Sequence, residues 1–154
     1  MVFILSLILG ISAGLRTMTP AAALCWAAFL GWIDLSATPF SFLGHPITLA
    51  ILTVAALGEF VIDQLPQAPG RTVPVQFGAR IVAGALGGGI LGLPSTTWIS
   101  GAMAGAVGAV LGTLGGHQAR RRLVASNGGN DRPIALLEDA VAIGLALLAV
   151  WLVT

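Results

Sequence analysis

Four carboxylates interrupt two long apolar stretches of the sequence. Glu59 and Asp63 lie four residues apart near the end of the first stretch, which places them on one face of a helix. Glu138 and Asp139 lie about one and a half turns after Pro133, which begins the second stretch. A carboxyl group in apolar surroundings tends to have a raised pKa, so such a group can take up a proton or bind a cation.

Two arginines are expected at the same depth as these acids. Arg16 ends the first apolar segment, and Arg80 lies one turn into the fourth. Together the six residues predict a polar layer with more carboxylates than guanidinium groups. Three interpretations remain open: an ion-pair network that only fixes helix packing, a binding or transport site, and a catalytic site.

The composition indicates that this layer lies inside a lipid bilayer. The 154 residues are 56% hydrophobic and only 8% charged, and the mean hydropathy is +0.96. A soluble domain carries about 25% charged residues, and a chain this short could not bury so much apolar surface in water. The net charge of +1 gives no reason to expect a nucleic-acid partner. The lone cysteine, Cys25, is expected to be a buried apolar residue.

Proline and glycine divide the chain into six apolar segments, which predict an all-α polytopic transmembrane bundle forming one integral membrane domain over residues 1–154. The first two segments are only about 14 residues long, or about 21 Å. They either form a thin hairpin across the membrane or are re-entrant half-helices that meet at Arg16, Thr17 and Met18. The predicted segments are Val2 to Leu15, Pro20 to Ile33, Pro46 to Leu65, Gln76 to Leu93, Trp98 to Gln118 and Pro133 to Val153.

The distribution of arginine predicts an orientation. If all six segments cross, every basic residue lies in or beside the first, third or fifth loop, on one face of the membrane. The positive-inside rule then puts these loops in the cytoplasm and both termini outside the inner membrane. The residues are Arg16, Arg71, Arg80, Arg120, Arg121, Arg122 and Arg132.

Glycines recur every four residues in the fourth and fifth segments. Such stripes let two helix backbones approach closely in lipid. They predict either packing of these two helices within one chain or a homodimer interface. The other expected partner is the lipid bilayer around the helices. The stripes are Gly84, Gly88 and Gly92, and Gly108, Gly112 and Gly116.

Four stretches resemble a known family. They are residues 14–20 (GLRTMTP), residues 57–59 with 63–66 (LGE and DQLP), residues 115–122 (GGHQARRR) and residues 135–139 (ALLED). In these the chain resembles a family of small bacterial membrane proteins catalogued as domain of unknown function 4126. The resemblance implies a bacterial inner-membrane protein and supplies no catalytic residue, cofactor or metal.

The expected function is a small transporter or channel-like protein for an ion or a small solute. Its polar site would comprise Glu59, Asp63, Glu138, Asp139, Arg16 and Arg80, with proton uptake by Glu59 coupled to transport. One alternative is an enzyme acting on a lipid or isoprenoid phosphate, with Mg²⁺ held by the acids. The other is an accessory subunit that packs on a larger membrane partner through its glycine stripes.

Overall fold

The computed structural model describes residues 1–65 and 72–153. Within these ranges the chain is all-helical, with six α-helices, one short 3-10 helix (Ser41–Gly44) and no strand. Arg71, which the sequence predicts on the inner face, lies outside the described residues. The α-helices are α1 (Val2–Leu15), α2 (Thr19–Phe29), α3 (Pro46–Ile62), α4 (Pro74–Gly92), α5 (Trp98–Ser126) and α6 (Arg132–Trp151).

All six predicted segments are helices, and their ends differ from prediction where turn signals were misjudged. α2 ends at Phe29 rather than Ile33, because the chain turns at Gly31, whose φ is +74°. α5 continues to Ser126 rather than Gln118. The arginines after Gln118 are good helix formers, and no glycine or proline interrupts them.

Three helices are long and apolar enough to cross a membrane: Pro74–Gly92, Trp98–Ser126 and Arg132–Trp151. α1, α2 and α3 are apolar as well but shorter. Large apolar side chains are exposed on the outer surfaces of these helices, among them Ile51, Leu111 and Leu147. Apolar helices whose outward faces are also apolar indicate a membrane protein.

α1 lies at the centre of the bundle and is the most enclosed helix. It packs along α5, α4 and α6. Gly10 faces Gly105 and Gly14 faces Ala109, so α1 and α5 run in the same direction. The hydroxyl of Ser12 donates to the carbonyl of Ala142 at 2.8 Å, which ties α1 to α6.

Glycine contacts bring the backbones of α1, α4 and α5 together. A Cβ added at Gly84 or Gly88 would collide with the backbone of α5, and one at Gly108 or Gly112 would collide with α1. Gly92 faces Thr97 at the turn between α4 and α5, while the nearest contact of Gly116 is the side chain of Leu15. A homodimer through these glycines would have to displace such contacts and stays a prediction.

α1 and α2 form a hairpin that turns back inside the bundle. Leu9 of α1 and Leu24 of α2 both lie beside Gly87, so the two helices run in opposite directions from the tip at residues 16–18. Asp139 contacts the tip and lies about 10 Å along α6 from its first residue, at 1.5 Å per residue. The tip therefore ends about two turns short of the start of α6, which fits the re-entrant alternative.

The glycine contacts give the first testable prediction. Gly105→Ala should destabilise the protein by about 1–3 kcal/mol, because the new methyl group would collide with the carbonyl of Gly84. Gly115→Ala is the matched control in the same helix, because nothing lies within 4 Å of a Cβ there. Thermal unfolding in detergent should show a lower midpoint for Gly105→Ala only. Equal midpoints for the two variants would contradict this packing.

Candidate functional site

Arg16 lies at the tip of the hairpin and is fully buried, with an exposure of 0%. The helix ends there because Arg16 has an extended backbone, with φ −143° and ψ 120°. Its Nε donates to Oδ1 of Asp139 at 2.6 Å, and Nη2 makes an ion-pair contact with the same oxygen. Nη1 donates to Oδ2 of Asp63. One buried guanidinium group therefore joins α3 and α6 to the end of α1.

The ring of Phe60 completes the surroundings of Arg16. The guanidinium carbon lies 5.4 Å from the ring centroid, within the range of a cation–π contact. Phe60 lies in α3 and Asp63 caps its C-terminal end, so this end of α3 contributes both a carboxylate and an aromatic face. The planar guanidinium group can use both at once, which a lysine ammonium could not do as well.

Glu59 binds the start of the second half of the hairpin. Its two carboxylate oxygens accept hydrogen bonds from the backbone N–H groups of Thr17 and Met18, each at 2.8 Å. These two donors immediately precede α2, where the helix dipole favours a negative charge. Glu59 and Asp63 both reach the hairpin tip, as expected for residues on one helix face.

Arg80 binds the end of the first half of the hairpin. Its Nη1 donates to the carbonyl of Gly14 at 2.5 Å and to that of Leu15 at 2.8 Å. The hydroxyl of Thr113 shares its proton between the Gly14 carbonyl at 3.1 Å and the Ala109 carbonyl of its own helix at 2.8 Å. The Gly14 and Leu15 carbonyls form the negative end of α1, which favours a cation. A cation therefore binds the C-terminal end of α1, and an anion binds the backbone just before α2.

Glu138 lies apart from its neighbour Asp139. Successive residues of a helix point about 100° apart, so Asp139 reaches Arg16 while Glu138 faces α5. There Nη1 of Arg120 contacts Oε2 of Glu138 at 3.5 Å. The same guanidinium group binds both oxygens of Asp131, with Nε–Oδ1 and Nη2–Oδ2 distances of 2.8 and 2.6 Å.

The structure thus brings five of the six predicted site residues to the hairpin tip and puts Glu138 in a neighbouring ion pair. The sequence interpretation missed four contributors. Arg120 was taken as an orientation signal, although it lies one helical turn after Gly116, which contacts Leu15 beside the tip. Nothing in the sequence pattern singled out the other three. They are Phe60, Thr113 and Asp131.

The tip cluster combines three carboxylates with two guanidinium groups. Asp63 and Asp139 share Arg16, so a change in charge on either acid alters how strongly the guanidinium group holds the other. Over residues 1–65 and 72–153, no group of three His, Cys, Asp or Glu side chains could hold a metal ion.

Fold and site together define a class: a helical membrane protein whose polar cluster encloses the tip of the α1–α2 hairpin. The chain belongs to the family described as Domain of unknown function (DUF4126), whose model matches residues 3–152. That match includes every residue of the tip cluster. No curated protein and no solved structure matches the chain.

The contrast between two aspartates gives a second prediction. Asp139→Asn should cost about 3–5 kcal/mol, because it leaves a buried arginine without one of its partners. Asp131→Asn should cost less than about 1 kcal/mol, because the Asp131 side chain is 51% exposed and its ion pair is solvated. Unfolding in mixed detergent micelles measures both. Similar losses in the two variants would show that Arg16 is not held as described.

Proposed function

We propose that this protein is a small membrane transporter or channel-like protein for an ion or a small solute, with Arg16, Asp63 and Asp139 as its polar site. The observation that supports this proposal most is the sharing of one buried guanidinium group by carboxylates from two helices. Buried ion pairs add little net stability compared with apolar packing. Ionisable residues within membrane helices commonly lie on ion or proton pathways.

The packing of α3 suggests how this site could open. α3 packs mainly against α2 and the 3-10 helix. Its inner end is attached to the hairpin through Asp63 and Glu59. A proton or cation that binds Asp63 would weaken its attraction to Arg16, while Asp139 would keep Arg16 in place. The inner end of α3 could then move away from the tip and open a path beside it.

Asp63 suits this role better than Glu59. The Glu59 carboxylate accepts two backbone N–H hydrogen bonds, which hold it against the hairpin tip. A cation bound to Glu59 would have to compete with both of these N–H donors. The Asp63 side chain is 20% exposed, so an ion can reach it more easily than the buried Asp139. We therefore assign the exchange step to Asp63.

Flux through proteoliposomes tests the transport proposal. Vesicles should contain dyes for H⁺, Na⁺ or K⁺ and should respond to an imposed gradient of each. We expect wild-type protein to pass one of these cations several-fold faster than protein-free vesicles, and Asp63→Asn to lose most of that flux. Asp34→Asn is the control, because Asp34 is exposed and accepts hydrogen bonds from Ser36 in its own loop.

Two outcomes would overturn the transport proposal. One is wild-type flux equal to that of protein-free vesicles for all three cations. The other is Asp63→Asn flux equal to wild type when both proteins elute as monodisperse particles from size exclusion. Loss of flux in Asp34→Asn would point to a nonspecific effect of reconstitution on all variants.

We also propose that the protein resides in a bacterial inner membrane with its arginine-rich end in the cytoplasm and both termini outside. Arg120, Arg121 and Arg122 lie toward one end of the bundle, and Asp34 and His45 lie at the other. This distribution follows the positive-inside rule.

Cysteine labelling tests this orientation. In a Cys25→Ser background, Ser36→Cys should react with a membrane-impermeant maleimide in intact spheroplasts. Ser126→Cys should react only after the membrane is opened, because it lies at the arginine-rich end. Both positions are exposed in the folded protein, so burial cannot explain a difference. The reverse pattern would show that the arginine-rich end lies outside. Labelling of both cysteines in intact spheroplasts would show that the protein has no single orientation.

A further inference from the structure

Two arginines near the C-terminal end of α5 point away from the bundle. Arg120 turns toward α6, where it binds Asp131 and Glu138. Arg121 and Arg122 follow it about 100° and 200° further around the helix, and both are exposed. Within the described part of the chain, neither of these two side chains has an ion-pair or hydrogen-bond partner. Both guanidinium groups can therefore bind an anion from outside the chain.

The length of α5 puts this pair of arginines at the depth of the lipid head groups. The helix begins at Trp98, which is exposed and of a residue type common at membrane interfaces. Arg121 follows about 35 Å along the helix, at 1.5 Å per residue. The hydrocarbon core is about 30 Å thick, so a helix that starts at one interface has just left the core at Arg121. Helical side chains lean toward the N-terminus of their helix, which here is the membrane side.

An apolar stripe leads along the outer face of α5 to the two arginines. Val107, Leu111 and Leu114 recur every three or four residues, and each is more than half exposed. The opposite side of α5 packs on α1 and α4 through its glycines, so the stripe faces the surrounding lipid. Arg121 and Arg122 follow Leu114 by about two turns on the same side of the helix. A phospholipid with its phosphate at the arginines would lay an acyl chain along this stripe.

The charges at this end of the bundle favour an anionic lipid. The end of α5 and the start of α6 hold four arginines and two acids, and both acids bind Arg120 on the side that faces α6. α5 itself contains no acidic residue, so it does not balance the positive charge of its outer face. A zwitterionic head group would bring its own ammonium group near the arginines, whereas an anionic head group brings no cation. The four arginines are Arg120, Arg121, Arg122 and Arg132, and the acids are Asp131 and Glu138.

We infer that the outer face of α5 binds an anionic phospholipid, with its phosphate on Arg121 and Arg122 and an acyl chain along Leu114, Leu111 and Val107. The exposed guanidinium groups are charge-assisted donors for the phosphate, and the apolar stripe fits the chain. The length of the helix puts both at the matching depth. This binding site uses no residue of the hairpin tip, so it would exist equally in a protein that moves no ion.

Photo-crosslinking in phosphatidylcholine vesicles tests the site. Two probes at the same low mole fraction carry a diazirine on one acyl chain. One has a phosphatidylglycerol head group and the other a phosphatidylcholine head group. The ratio of labelling by the first probe to labelling by the second should be about tenfold higher on the outer face of α5 than on that of α3, because two arginines bind the phosphate. Ile51 and Val54 mark the α3 face, since both are exposed and apolar.

Two variants that lose the same positive charge separate a binding site from a general surface potential. Arg121→Gln/Arg122→Gln should lower the labelling ratio on α5 to the value measured on α3. Arg132→Glu removes the same charge from the same end of the bundle and should keep most of the preference on α5. All three arginines are exposed, so both variants should elute as monodisperse particles like the wild type.

The inference is overturned if the labelling ratio is the same on α5 and α3, or if Arg121→Gln/Arg122→Gln keeps the wild-type ratio. An equal loss in Arg132→Glu would also overturn it, because only a general surface potential would then remain. Displacement of the probe by soluble glycerol phosphate as well as by unlabelled phosphatidylglycerol would make the ligand a free phosphate. A disulfide between two copies of Leu111→Cys, in a Cys25→Ser background, would assign this face to a second copy of the chain.

Discussion

The interruption between α1 and α2 imposes the constraint on which the rest of the structure depends. A helix that ends inside an apolar bundle leaves backbone carbonyls and N–H groups that water cannot reach. Arg80 and Thr113 bind the free carbonyls of α1, and Glu59 binds the N–H groups of the two residues just before α2. Because these partners come from α3, α4 and α5, the hairpin fixes the relative positions of three further helices.

The contacts that hold the hairpin tip also form the polar site of the proposed transporter. Arg16 must be buried because it ends α1 inside the bundle, and a buried guanidinium group requires carboxylate partners. Two helices supply them, through Asp63 and Asp139. A group shared in this way is sensitive to the charge of either partner. Such a group is suited to a switch, whereas apolar side chains of similar volume would give a more stable but unresponsive core.

The sequence predicts the number, order and approximate ends of the helices well, because proline, glycine and charged residues mark where apolar segments stop. It also predicts a common depth for the charged residues, since depth follows from position along each helix. The individual pairings could not be predicted. Glu138 and Asp139 differ in partner because of helix rotation. Glu59 binds backbone groups, which carry no side-chain signal.

The two sides of the bundle differ in how tightly they pack, and this difference limits where motion can occur. On one side, glycines bring the backbones of α1, α4 and α5 into contact, so a small shift of any helix there would create collisions. On the other side, α3 has few neighbours and leaves an open groove beside α6. Asp63 joins these two parts through Arg16. Any conformational change that alters access to the hairpin tip should therefore move α3 against a rigid α1–α4–α5 core.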